Sequence, residues 1–71
     1  MRAQAKDLKV GTEYWLDDNR DVSGVCKEVN VQENLVRFKK VPKQPSRYAT
    51  DSKGYILFPV DVPYHYKEVE A

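Results

Sequence analysis

The chain has 71 residues, 41% hydrophobic and 32% charged, and its twelve basic and eleven acidic side chains leave a formal net charge of +1. That length holds one hydrophobic core and excludes a second independent one, while the near balance of charge excludes a protein held to DNA by a chain-wide basic excess. Cys26 is the only cysteine, which excludes an intramolecular disulfide framework and a cysteine-rich zinc site.

No apolar stretch reaches the roughly 20 residues of a bilayer-spanning helix, and the first residues lack the apolar centre of a signal peptide. A soluble, cytoplasmic protein with no membrane contact is expected. Residues 1–7 read as a flexible N-terminal arm or a short helical turn, because Ala, Gln and Lys favour helix but the run is too short to hold one. A single domain is expected over 8–71.

Leu8 and Val10 lead into Gly11, a bend, after which residues 12–16 read as a strand with Tyr14 and Leu16 on one face and Glu13 and Trp15 on the other. Residues 17–21, three Asp with Asn19 and Arg20, carry short polar side chains that bond to local backbone and mark a loop. Residues 22–31 contain a second strand, with Val25, Lys27, Val29 and Val31 expected on one side and Cys26, Glu28 and Asn30 on the other. Lys27 interrupts the apolar side. Either its stem lies along the sheet or a bulge near Gly24 changes the phase.

Gln32, Glu33 and Asn34 form the next turn, so the second strand and the run Leu35–Val41 are expected as a central antiparallel hairpin. In that run Val36 and Phe38 point to the core and Arg37 and Lys39 away from it. The span 41–54, with Pro42, Pro45 and Gly54, reads as one long loop, and loops of that length in compact domains are commonly functional. Tyr55-Ile56-Leu57-Phe58 follows as a strand with Ile56 and Phe58 inward. A tight turn through Val60, Val62 and Pro63 feeds a short closing strand. The fold class is all-β: four to five short antiparallel strands in a small barrel or a strongly curved sheet.

The order Leu8-Lys9-Val10-Gly11-Thr12-Glu13-Tyr14, a polar loop, Gly24-Val25-Cys26-Lys27-Glu28-Val29, a turn, Leu35-Val36-Arg37-Phe38, then Tyr55-Ile56-Leu57-Phe58 resembles the small SH3-like barrels, especially Tudor and KOW-type modules. The resemblance covers about Leu8 to Val69 and implies the barrel architecture. The sequence departs from a typical Tudor domain in the long 41–54 segment and in lacking the Asp-Tyr-Gly run after the third strand. The length also suits a small regulatory protein of a phage or mobile element.

Two function classes compete. In the first, a non-enzymatic interaction protein docks on another protein through Trp15 and Tyr48 as anchors, with Asp17, Asp18, Arg37, Lys39 and Lys40 setting orientation and encounter. In the second, a nucleic-acid-binding barrel positions phosphates with Arg37, Lys39, Lys40, Lys43 and Arg47, a run with no acidic residue before Asp51, and stacks a base on Tyr48. The plainer account of the same charges is solvation of the outer face of a strand and protection of an edge. The acidic loop and the basic run also make self-association through charge pairing an option.

Tyr14, Trp15, Tyr48, Tyr55 and Phe58 are candidates for an aromatic pocket, set against their use as an aromatic mini-core. Asp17, Asn19 and Asp21 alternate like the start of a calcium loop but lack the following Gly and Glu, so no metal is expected. Cys26 and His65 stand in no nucleophile motif, and the three glycines are too separated to cradle a phosphate. No catalytic residue and no cofactor is assigned.

Overall fold

The computed structural model describes residues 2–41 and 48–70. Lys43 and Arg47 therefore lie outside the described residues. The strands are β1 (Arg2–Gln4), β2 (Glu13–Trp15), β3 (Ser23–Asn30), β4 (Leu35–Lys40), β5 (Tyr55–Phe58) and β6 (His65–Glu68), with one 3-10 turn at Ala5–Asp7. They form one antiparallel sheet in the order β1-β6-β2-β3-β4-β5. The all-β expectation holds, and the sheet is open: its two edge strands, β1 and β5, do not pair with each other.

The core lies on one face of the sheet. Tyr14 and Leu16 are buried with Val22, Cys26, Val36, Phe38, Ile56 and Tyr66, joined by Ala5 and Leu8 from the N-terminal segment. Val36 and Phe38 have no exposed surface, which is what alternation along β4 dictates once Arg37 and Lys39 face outward. Phe38 is the hub of the aromatic set: its ring lies 5.8 Å from Phe58 and 5.4 Å from Tyr66. Opposite it, Gly24 is close enough that an added Cβ would sit 2.9 Å from Phe38 Cβ and 3.3 Å from the Lys39 carbonyl oxygen. The glycine is there because the neighbouring strand leaves no room for a methyl group.

β3 corrects the expected phase. A bulge falls between Cys26 and Glu28, so Cys26 pairs with Phe38 while Glu28 pairs with Arg37. The extra residue is Lys27, which stands exposed, and after it the inward positions shift so that Val29 faces Val36. One irregularity resolves the Lys27 conflict: both Cys26 and Val29 reach the core, and the cation stays in water. Val31 is left outside the strand, well exposed.

The 1–7 segment, read as an arm or a short helical turn, holds a short strand and then the 3-10 turn at Ala5–Asp7. Arg2–Gln4 pairs with His65–Lys67, and Ala5 is fully buried at the start of the 3-10 turn. Its partner strand is some sixty positions away, so no local pattern announces the pairing.

Two polar side chains fix loops that carry few apolar contacts. Asn34, at φ 56°, accepts hydrogen bonds on Oδ1 from the Val60 and Asp61 amides, each at 3.0 Å, tying the β3–β4 turn to the β5–β6 connection. Asp51 closes the turn before β5: its Oδ1 accepts from the Lys53 and Tyr55 amides at 2.9 Å, and its own amide donates to the Tyr55 carbonyl.

Replacing Gly24 by Ala forces Phe38 or the β4 backbone to move. In urea denaturation, Gly24→Ala is expected to lose about 1–3 kcal/mol, whereas Lys27→Ala at the exposed bulge stays within about 0.5 kcal/mol of the wild type.

Candidate functional site

The outer face of the sheet lies opposite the core and carries Trp15. Trp15 pairs across the sheet with Ser23 on β3 and Lys67 on β6, so all three share that face. Trp15 is half-buried. A concavity of about 300 Å³ opens beside it, lined by Trp15, Asp17, Asp18, Arg20, Tyr64, His65 and Lys67. A second, of about 190 Å³, is lined by Trp15, Arg20 and Lys67 together with Glu68, Val69 and Glu70. Trp15, Arg20 and Lys67 thus form a strip common to both.

Local bonding makes this region defined rather than loose. The Leu16 amide donates to the Val22 carbonyl at 2.9 Å across the base of the 17–21 loop, and Arg20 takes the left-handed conformation at φ 57° that turns the chain back. The Asp21 amide donates to Asp17 Oδ1 at 3.4 Å. Ser23, fully buried, donates its hydroxyl to Glu13 Oε2 at 2.5 Å, joining β2 to β3 on the same face as Trp15.

Tyr64 forms one wall. Its ring stands nearly perpendicular to that of Tyr66, centroids 4.8 Å apart, and its hydroxyl donates to Asp18 Oδ1 at 3.4 Å. Burial, with the Asp18 charge adding to it, pushes the Tyr64 phenol up to about 12, so it stays a neutral donor throughout the ordinary pH range.

The basic run looks different in place. Arg37 Nη1 lies 2.5 Å from Glu28 Oε1, and its Nε lies 3.4 Å from Asp51 Oδ2. The Glu28 hydrogen bond raises the Arg37 pKa further, with Asp51 adding to the effect. A guanidinium held by two carboxylates is a brace between β3, β4 and the turn before β5, with its Nε and Nη1 already engaged. Lys39 is exposed on the outer face between Val25 and Tyr55, and Lys40 is half-buried opposite Gly24.

Tyr48 packs edge-on to Phe58 at 5.2 Å, with its hydroxyl 3.5 Å from the Leu16 carbonyl oxygen. It braces the core more than it presents a free anchor. The proposed aromatic pocket is likewise divided: Tyr14 is buried, Tyr48 and Phe58 belong to the ring cluster around Phe38, and Trp15 stands apart on the other face. The rings are used for the core because Phe58 and Tyr66, 6.2 Å apart, close it over Phe38.

Of the sequence-derived residues, the fold brings Trp15, Asp17 and Asp18 together and places Arg37, Lys39, Lys40 and Tyr48 elsewhere. Arg20, Tyr64, His65 and Lys67 join the groove without having been singled out for it. Only the alternation of His65 and Lys67 along the closing strand signals a shared face, and the β2–β6 pairing that brings them to Trp15 is non-local. Cys26 lies in the core, where burial pushes its thiol up, while His65 is exposed on the outer face. Those two are not a nucleophile and base pair. Among the described residues, no group of three or more His, Cys, Asp or Glu is placed to hold a metal ion.

A further concavity of about 270 Å³ lies at the seam between the N-terminal segment and the β5–β6 connection, lined by Gln4, Lys6, Val31, Val60, Asp61, Val62 and Pro63. It is the more aliphatic of these surfaces. No family model matches the chain, and no curated protein or solved structure matches it either.

Hydrogen bonds from the Tyr55 and Lys53 amides, and the Arg37 charge, hold the Asp51 carboxyl below its usual range. A depressed carboxyl contributes stability that is present above the unfolded-state value of about 3.9 and lost as pH falls through the lower folded-state value. Asp51→Asn keeps an acceptor for the two amides but loses the charge. The stability gap between wild type and Asp51→Asn is expected to be full at neutral pH and to close below about pH 4, measured by denaturant unfolding across an acid pH series.

Proposed function

We propose that this chain is a non-enzymatic interaction module that docks on another protein through the outer face around Trp15. The observation that carries the reading is the half-buried Trp15 lining two concavities, with Asp17 and Asp18 in one of them. A large amphipathic ring held on a sheet, with charged side chains around it, is the composition of a binding hot spot and its rim. The resemblance to small SH3-like modules accords with such a role. Action by adaptor-like docking or steric occupation follows from the absence of any assigned chemistry in this reading.

The rival, phosphate binding by the basic run, is weakened by the Glu28–Arg37–Asp51 brace, which neutralises the best phosphate ligand among the described residues. Capture from native cell extract separates the two. Immobilised wild-type protein is expected to retain a stoichiometric protein that survives nuclease treatment and is lost with Trp15→Ala, while Lys39→Ala keeps it. Loss of all bound material on nuclease treatment, or equal capture by a folded Trp15→Ala variant, overturns the reading.

A further inference from the structure

The connection from β5 to β6, residues 59–64, contributes to two surfaces at once. Val60, Asp61, Val62 and Pro63 line the aliphatic concavity at the N-terminal seam, and Tyr64 lines the one beside Trp15. Pro59, Asp61, Val62 and Pro63 are exposed, so burial does not hold most of this segment. It is held by Val60 and Tyr64, which pack against the core, and by side-chain hydrogen bonds with two distant parts of the chain. At one end Asn34 Oδ1 accepts from the Val60 and Asp61 amides, each at 3.0 Å; at the other the Tyr64 hydroxyl donates to Asp18 Oδ1 at 3.4 Å. Asn34 itself lines neither Trp15 concavity.

We infer that Asn34 is a positioning residue for the Trp15 face: by holding the Val60 and Asp61 amides it sets where Tyr64 stands. Only Val62 and Pro63 separate the pinned amides from Tyr64, and they make a stiff link. The ring of Pro63 locks its φ, and Val62 is restricted twice, by its branched Cβ and by preceding a proline. A displacement of the pinned end is therefore passed on to Tyr64 rather than absorbed on the way. One oxygen that takes two successive amides fixes direction as well as distance, because both N–H groups must converge on it. Asn34 suits the post, since its φ of 56° is one that asparagine adopts more readily than most residues with a side chain. The far end responds to small shifts. At 3.4 Å the Tyr64–Asp18 bond is already long, so a modest movement of Tyr64 breaks it and reshapes the concavity of about 300 Å³. The consequence for docking rests on the reading above; the positioning of Tyr64 does not.

Three variants of the full chain separate the links. Asn34→Gly removes the acceptor and tolerates the φ, Asn34→Asp keeps both, and Pro63→Gly leaves the acceptor but softens the link. Nuclear magnetic resonance reads both ends: amide exchange at Val60 and Asp61, and the ring-proton shifts of Tyr64, which the Tyr66 ring 4.8 Å away displaces from those of a free tyrosine. In Asn34→Gly the two amides are expected to exchange roughly fivefold faster, and the Tyr64 shifts to move toward the free values. Asn34→Asp is expected to keep the wild-type pattern at neutral pH. Pro63→Gly is expected to keep slow exchange at Val60 and Asp61 while the Tyr64 shifts are lost. A purely local role for Asn34 changes the amides and leaves the Tyr64 ring where it was.

Wild-type Tyr64 shifts in folded Asn34→Gly or in Pro63→Gly overturn the inference and leave the docking reading standing, as does a released Tyr64 ring in Asn34→Asp. If Asn34→Gly fails to fold, the Pro63→Gly arm decides. Failure of the Trp15→Ala capture test removes the consequence for docking and leaves the link from Asn34 to Tyr64 as measured.

Discussion

The contact on which the molecule depends is the one between Gly24 and Phe38. A small domain buries a modest share of its surface, and one large ring at the centre supplies much of what the core needs. Phe38 can sit there because β3 offers a residue without a side chain. From it the order spreads outward: Phe38 meets Tyr66, Tyr66 meets Tyr64, and Tyr64 reaches Asp18 at the rim of the groove. The wall of the candidate site is the last link of a chain that starts in the core. Changes near Phe38 should therefore be felt at the groove even where they leave the sheet intact.

Much of the fold was legible because the strands announce themselves locally. Tyr14 with Leu16, Val36 with Phe38, and Ile56 each fall inward where period-two alternation puts them, and Asn34 marks a turn that the structure uses. What local pattern missed depends on distant partners. Arg2–Gln4 becomes a strand because β6 has a free side to offer it, and the bulge at Lys27 arises because β4 demands Cys26 and Val29 in the core together. Propensity carries no information about either demand.

The site was legible to a lesser degree, for the same reason. Trp15, Asp17 and Asp18 are neighbours in sequence and stay neighbours in space. Arg37 looked like a phosphate ligand because no acidic residue follows it before Asp51; the fold brings Asp51 and Glu28 to it from two different elements. A basic run counted along one strand says little about charge on a sheet, where each side chain has cross-strand neighbours.

The turn before β5 has one more consequence. Asp51 takes both the amide and the carbonyl of Tyr55, Thr50 bridges Ile56, and Pro59 follows the strand. The outer side of β5 is thus occupied by its own chain, whereas β1 has β6 as its one strand partner among the described residues. A sheet with two bare edges can add copies without limit, but a sheet with one sealed edge cannot. The segment turned back by Asp51 leaves the β5 edge less open to strand addition than β1.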